Sequence, residues 1–70
     1  MTVEDFYEVV EDMSRLYLVG KEGPFTFYIE RINAFQIDIF YEGAYMKTLQ
    51  EKTLEDALES INNFLLTFEE

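Results

Sequence analysis

Residues 25–41 read FTFYIERINAFQIDIFY, and this stretch sets the fold. Residues 25–30 and 35–41 alternate apolar and polar side chains, the period of a strand with one buried face. A three-residue loop around Asn33 pairs Ile29 with Ile37 and Phe27 with Ile39. That register gathers Phe25, Phe27, Ile29, Phe35, Ile37 and Ile39 on one face. A two-residue loop would set Glu30 against Ile37 on the core side, where a carboxylate is costly, so three residues are expected. Glu42-Gly43 reads as a tight hairpin turn. It pairs Ile39 with Met46 on the core face and Asp38 with Lys47 on the other, an opposite-charge cross-strand pair.

Before this hairpin, Lys21-Glu22-Gly23-Pro24 is a turn signal. The β-prone run Leu16-Tyr17-Leu18-Val19 ends at Gly20; with or without it, the sheet has three or four strands. The two ends of the chain carry helical spacing. In residues 2–14, Val3, Phe6, Tyr7, Val9, Val10 and Met13 fall on one side at 100° per residue, and the acids fall on the other. Thr2 is the expected N-cap, with Asp5 at the capping-box position. Thr53-Leu54-Glu55-Asp56 repeats that signature. Leu54, Ala57, Leu58, Ile61, Phe64, Leu65 and Phe68 then form an apolar stripe, from which Leu66 departs into the polar side. The expected architecture is a single two-layer α+β domain over residues 1–70, of order α-β-β-β(-β)-α, with both helices on one face of an antiparallel sheet.

The 70 residues include fifteen Asp and Glu against five Lys and Arg, a net charge of −10. The charge is unevenly placed. Residues 1–14 hold five acids and no base, residues 53–70 hold five acids and no base, and the segment between is balanced. Uniformly acidic helices forgo the Glu–Lys pairs that ordinarily support a helix surface. With 49% apolar and 17% aromatic residues the chain is too rich in core formers to be disordered. Residues 1–5 lack a basic region and a following apolar run, and no apolar run reaches the ~20 residues of a membrane span, so a soluble, cytoplasmic protein is expected.

The composition narrows the chemistry. There is no Cys and no His. That removes thiolate chemistry, Cys-type zinc sites and the commonest general base and metal ligand. Ser14 and Ser60 therefore have no base of the usual kind beside them. Glu30 is the strand carboxylate best placed for acid–base work, but Arg31 or solvent accounts for it. Gly20 and Gly23 form no phosphate-cradling motif. No calcium-loop pattern is present, and Glu4, Glu8 and Glu11 would attract divalent ions only weakly. Lys21, Arg31, Lys47 and Lys52 lie among aromatic residues, yet the overall charge opposes nucleic acid. No catalytic residue, metal or cofactor is expected, nor direct contact with nucleic acid or membrane.

Two contact regions remain. The first is the acids Glu4, Asp5, Glu8, Glu11, Asp12, Glu55, Asp56 and Glu59. The second is the sheet face away from the helices, where Tyr28, Phe40 and Tyr45 stand with Thr26, Gln36 and Asp38, together with the stray Leu66. In size, acidity and element order the chain resembles small Cys-free proteins of phages and mobile elements that inhibit host factors. Among them are anti-CRISPR proteins of helix–strands–helix order and proteins that imitate DNA. The resemblance implies that the eight acids stand where DNA phosphates would sit; acids three or four apart on a helix are ~4.5–6 Å apart along its axis. The expected function is a non-enzymatic inhibitor that presents acidic helix faces to a basic, nucleic-acid-binding host protein. The alternative is a homo-oligomeric structural or accessory domain joined through the aromatic sheet face.

Overall fold

A computed structural model describes residues 1–12 and 15–69, with side chains described for residues 1–9 and 17–68. A one-turn 3-10 helix, Val3–Asp5, leads into five strands: β1 (Phe6–Asp12), β2 (Arg15–Glu22), β3 (Phe25–Arg31), β4 (Phe35–Tyr41) and β5 (Ala44–Glu51). A single α-helix, α1 (Leu54–Glu69), follows. The strands form one antiparallel sheet in the order β1-β2-β3-β4-β5, each beside its neighbour in sequence.

The two-helix expectation is therefore overturned: the described residues form five strands rather than three or four, and one α-helix, which follows the last strand. The predicted first helix lasts one turn. Its cap forms, with the Thr2 amide donating to Asp5 Oδ2 at 2.7 Å, but Phe6 is already extended at φ −107°, ψ 148°. Phe6, Tyr7, Val9 and Val10 are β-formers. Glu4, Asp5 and Glu8 have no basic partner three or four residues away, so the first turns of a longer helix lack that support. The sheet also supplies a site for them. Phe6 lies opposite Gly20 in register, and a Cβ at Gly20 would stand 2.5 Å from Phe6 Cε1. The missing side chain is the seat of the Phe6 ring. The run 16–19 is thus a paired strand, flanked by β1 and β3.

The hairpin of residues 25–41 has the expected register, with Ile29 opposite Ile37 and Phe27 opposite Ile39. Phe27, Ile37 and Ile39 are fully buried beneath Ala57 and Ile61 of α1. Each such aliphatic or aromatic side chain contributes ~1.5–3 kcal/mol by leaving water. Phe25 meets four other rings, those of Phe27, Tyr41, Phe64 and Phe68, with centroids 6.1, 5.2, 5.3 and 4.9 Å away. Alpha-helix α1 begins where the sequence places it, the Asp56 amide donating to Thr53 Oγ1 at 3.1 Å. The helix is tied to β5 by Ser60 Oγ, which donates to Glu51 Oε1 at 2.6 Å. It is tied to the N-terminal segment by Asn62, whose Nδ2 donates to the Met1 carbonyl at 2.8 Å and whose Oδ1 accepts from the Met1 nitrogen.

The second hairpin departs from expectation by one residue. The turn is as predicted, with Glu42 at φ 49° and Gly43 at φ 85°, but a bulge follows. Ile39 faces Lys47 rather than Met46, and Asp38 faces Thr48 rather than Lys47. One extra residue in a strand exchanges its faces. Lys47 consequently lies on the helix side, its Nζ 5.1 Å from the Phe64 ring centroid. Met46 is left 40% exposed. Among the described residues no helix is long and apolar enough to cross a membrane.

Candidate functional site

The acids predicted to carry partner contact separate into three groups. Glu4 and Asp5 sit in the 3-10 turn, and both are exposed. Glu8, in edge strand β1, lies opposite Leu18 on the helix side of the sheet and is also exposed. It borders a notch of about 200 Å³ that Leu18, Ile29, Arg31 and Phe35 help to line. Glu55, Asp56 and Glu59 are exposed on α1. Glu11 and Asp12 lie in β1, and their side chains fall outside the described residues. The acids of residues 4–12 therefore stand on a turn and a strand, not on a helix face.

The structure nevertheless joins two of these groups. Glu55, Glu59 and Asn62 follow one another at i, i+4 and i+7, one stripe of α1. Asn62 ends that stripe and holds Met1 by two hydrogen bonds. Glu4 and Asp5 follow Met1 within one turn. Chain segments more than fifty residues apart thus meet on one side of the sheet with carboxylates on both. Asp56 belongs to the adjacent stripe with Ser60, on the β5 side of the helix.

The opposite face of the sheet carries no helix. Tyr28, Phe40 and Tyr45 lie there together as expected: ring centroids are 5.3 Å apart for Tyr28–Phe40 and 5.8 Å for Phe40–Tyr45, both edge-to-face. The row extends further than sequence periodicity indicates. Tyr17 meets Tyr28 at 6.4 Å, and Val19 lies in register between Tyr7 and Tyr28. Val19 is only 4% exposed yet stands apart from the core beneath α1. Tyr7 and Tyr45 are 57% and 61% exposed. Tyr7 escapes the sequence pattern because residues 2–14 fit a helix, and Tyr17 because the run 16–19 has no register without β1 beside it. Leu66 does not join this face. It is 62% exposed on α1, which covers the other side of the sheet.

Three polar groups of the aromatic face are paired with one another. Tyr45 Oη and Thr48 Oγ1 are 2.7 Å apart, and Thr48 Oγ1 donates to Asp38 Oδ1 at 2.7 Å. Elsewhere, Arg31 stacks over Phe35 at 5.8 Å, and Ser60 is held by Glu51. Ser14 lies outside the described residues. Among the described residues no group of three or more Asp and Glu side chains is arranged to hold a metal ion. The helix–strands–helix order that contributed to the resemblance is replaced by a five-stranded meander and one helix. No family model, curated protein or solved structure matches this chain.

Proposed function

We infer that this chain is a non-enzymatic binding module that docks a basic protein through its acidic side. The observation that carries this reading is the Met1–Asn62 junction, which adjoins the exposed carboxylates of the 3-10 turn to those of α1. A carboxylate surface of this kind raises encounter rates with a cationic partner and selects against anionic ones. Lys- and Arg-rich surfaces are most concentrated on proteins that neutralise nucleic-acid phosphates. The partner is therefore a nucleic-acid-binding protein, in a cytoplasmic setting. By covering such a surface the module would act as an inhibitor.

Immobilised chain and the triple variant Glu4→Lys, Glu55→Lys, Glu59→Lys are compared as baits in cell lysate at low and high salt. The expected result is a discrete basic protein held by the native chain, released by salt and not retained by the variant. Capture of no basic partner, or capture indifferent to salt, contradicts the reading.

A further inference from the structure

We propose that the aromatic face of the sheet is the contact surface for a second copy of this chain, two sheets packing face to face with the helices outermost. This rests on observations separate from the acidic side. The row Tyr17, Tyr28, Phe40, Tyr45 is a continuous series of edge-to-face rings, and the exposed rings of Tyr7, in register beside Val19 on β1, and of Tyr45 on β5 stand at its two edges. Burial there does not orphan the Tyr45 and Thr48 hydroxyls or the Asp38 carboxylate, which already satisfy one another.

Charge chooses the occupant and the geometry. The acids at Glu4, Asp5, Glu55, Asp56 and Glu59 lie on the other side of the sheet, in the 3-10 turn and α1. Face-to-face packing therefore keeps these five acids of the two copies apart by two sheets, leaving Glu30 and Asp38, among the described residues, as the carboxylates of the shared face. Layers spaced ~10 Å place the two helices ~30 Å apart, several times the ~8 Å Debye length at physiological salt. Pairing through the β1 edge would instead bring Glu8 of one copy against acids of the same strand in the other, which like charges oppose. The area suffices. Five strands ~4.8 Å apart and ~24 Å long present roughly 570 Å² per copy in projection, so a pair covers on the order of 1,100 Å², above the ~1,000 Å² that marks a specific interface.

Sedimentation equilibrium of the native chain from micromolar to hundreds of micromolar tests this. It is run beside Tyr7→Glu, Tyr45→Glu and, as a control of equal charge on the opposite layer, Leu66→Glu. The expected result is a mass near twice 8.3 kDa for the native chain and for Leu66→Glu, retained at high salt. The two tyrosine variants, whose sites are too exposed to threaten folding, sediment at half that mass with unchanged far-ultraviolet circular dichroism. Several outcomes overturn the proposal: a monomer throughout the range, dissociation by salt, a dimer unaffected by both tyrosine variants, or one broken by Leu66→Glu. None of them bears on whether the acidic side binds a basic partner.

Discussion

Gly20 is the residue on which the N-terminal half of the sheet turns. It needs no unusual backbone angle; it needs to have no side chain, because Phe6 Cε1 and Cδ1 would lie 2.5 and 2.6 Å from a Cβ and Met1 Cε 3.0 Å. Phe6 is nearly buried and belongs to the main core, so its ring has little room to retreat. Gly20→Ala should cost ~1–3 kcal/mol, the usual penalty of overpacking, measured as a lowered urea midpoint. The cost should shrink when Phe6→Ala is already present, since the two side chains compete for one space. A Gly20→Ala variant as stable as the native chain would contradict this account. Glycine at position 20 also explains why Leu16-Tyr17-Leu18-Val19 looks like a strand that stops early: the strand continues to Glu22, and the apparent stop is a seat for a ring.

At the scale of elements, the two ends of the chain carry the same cap signature with different outcomes. At Thr53 the cap leads into a sixteen-residue helix with an apolar stripe over Ile37 and Ile39. At Thr2 it supports a single turn. Thr53→Ala should cost ~1 kcal/mol and Thr53→Ser almost nothing, read from the same urea midpoint; an unaffected Thr53→Ala would mean that packing alone holds the start of α1. The cap shows which parts of the fold were legible. The β3–β4 register and α1 follow from unbroken periodicity, one apolar face each. Strand β1 was not legible because it has apolar residues on both faces, Phe6 toward the core and Tyr7 and Val9 away from it. Its period-2 signal cancels, and a helical template fits by default. The β5 bulge was equally hidden, since one inserted residue leaves local composition unchanged while moving Lys47 across the sheet. The candidate surfaces inherit these limits. Tyr28, Phe40 and Tyr45 were readable, Tyr7 and Tyr17 were not, and the acids were readable as residues but not as neighbours.

At the scale of the molecule, a net charge of −10 sits on seventy residues. Folding brings the acidic N-terminal turn against the acidic helix at Asn62. The unfolded chain keeps these segments apart, so their repulsion is mainly a cost of the folded state. Raising NaCl from ~0.05 to ~0.5 M shortens the Debye length from above 10 Å to below 5 Å. Thermal stability should rise accordingly, by about 1 kcal/mol or ~4–8 °C for a domain of this size. A melting temperature that falls or stays level with salt would remove the repulsion from this account.

The sequential strand order bears on how the molecule assembles. Each strand pairs with the one before it, so every ladder closes a short loop and carries a small entropic toll. The sheet can grow as a zipper from any of its hairpins. The Ile32–Ala34 loop, with its buried Ile29–Ile37 and Phe27–Ile39 pairs, is the natural nucleus. The long closure comes with α1, which must return across the finished sheet before Asn62 can engage Met1. A topology dominated by local contacts places the chain among rapid folders despite its β content. It also makes the Met1–Asn62 clasp a late contact in folding and, at the chain end, among the first to open.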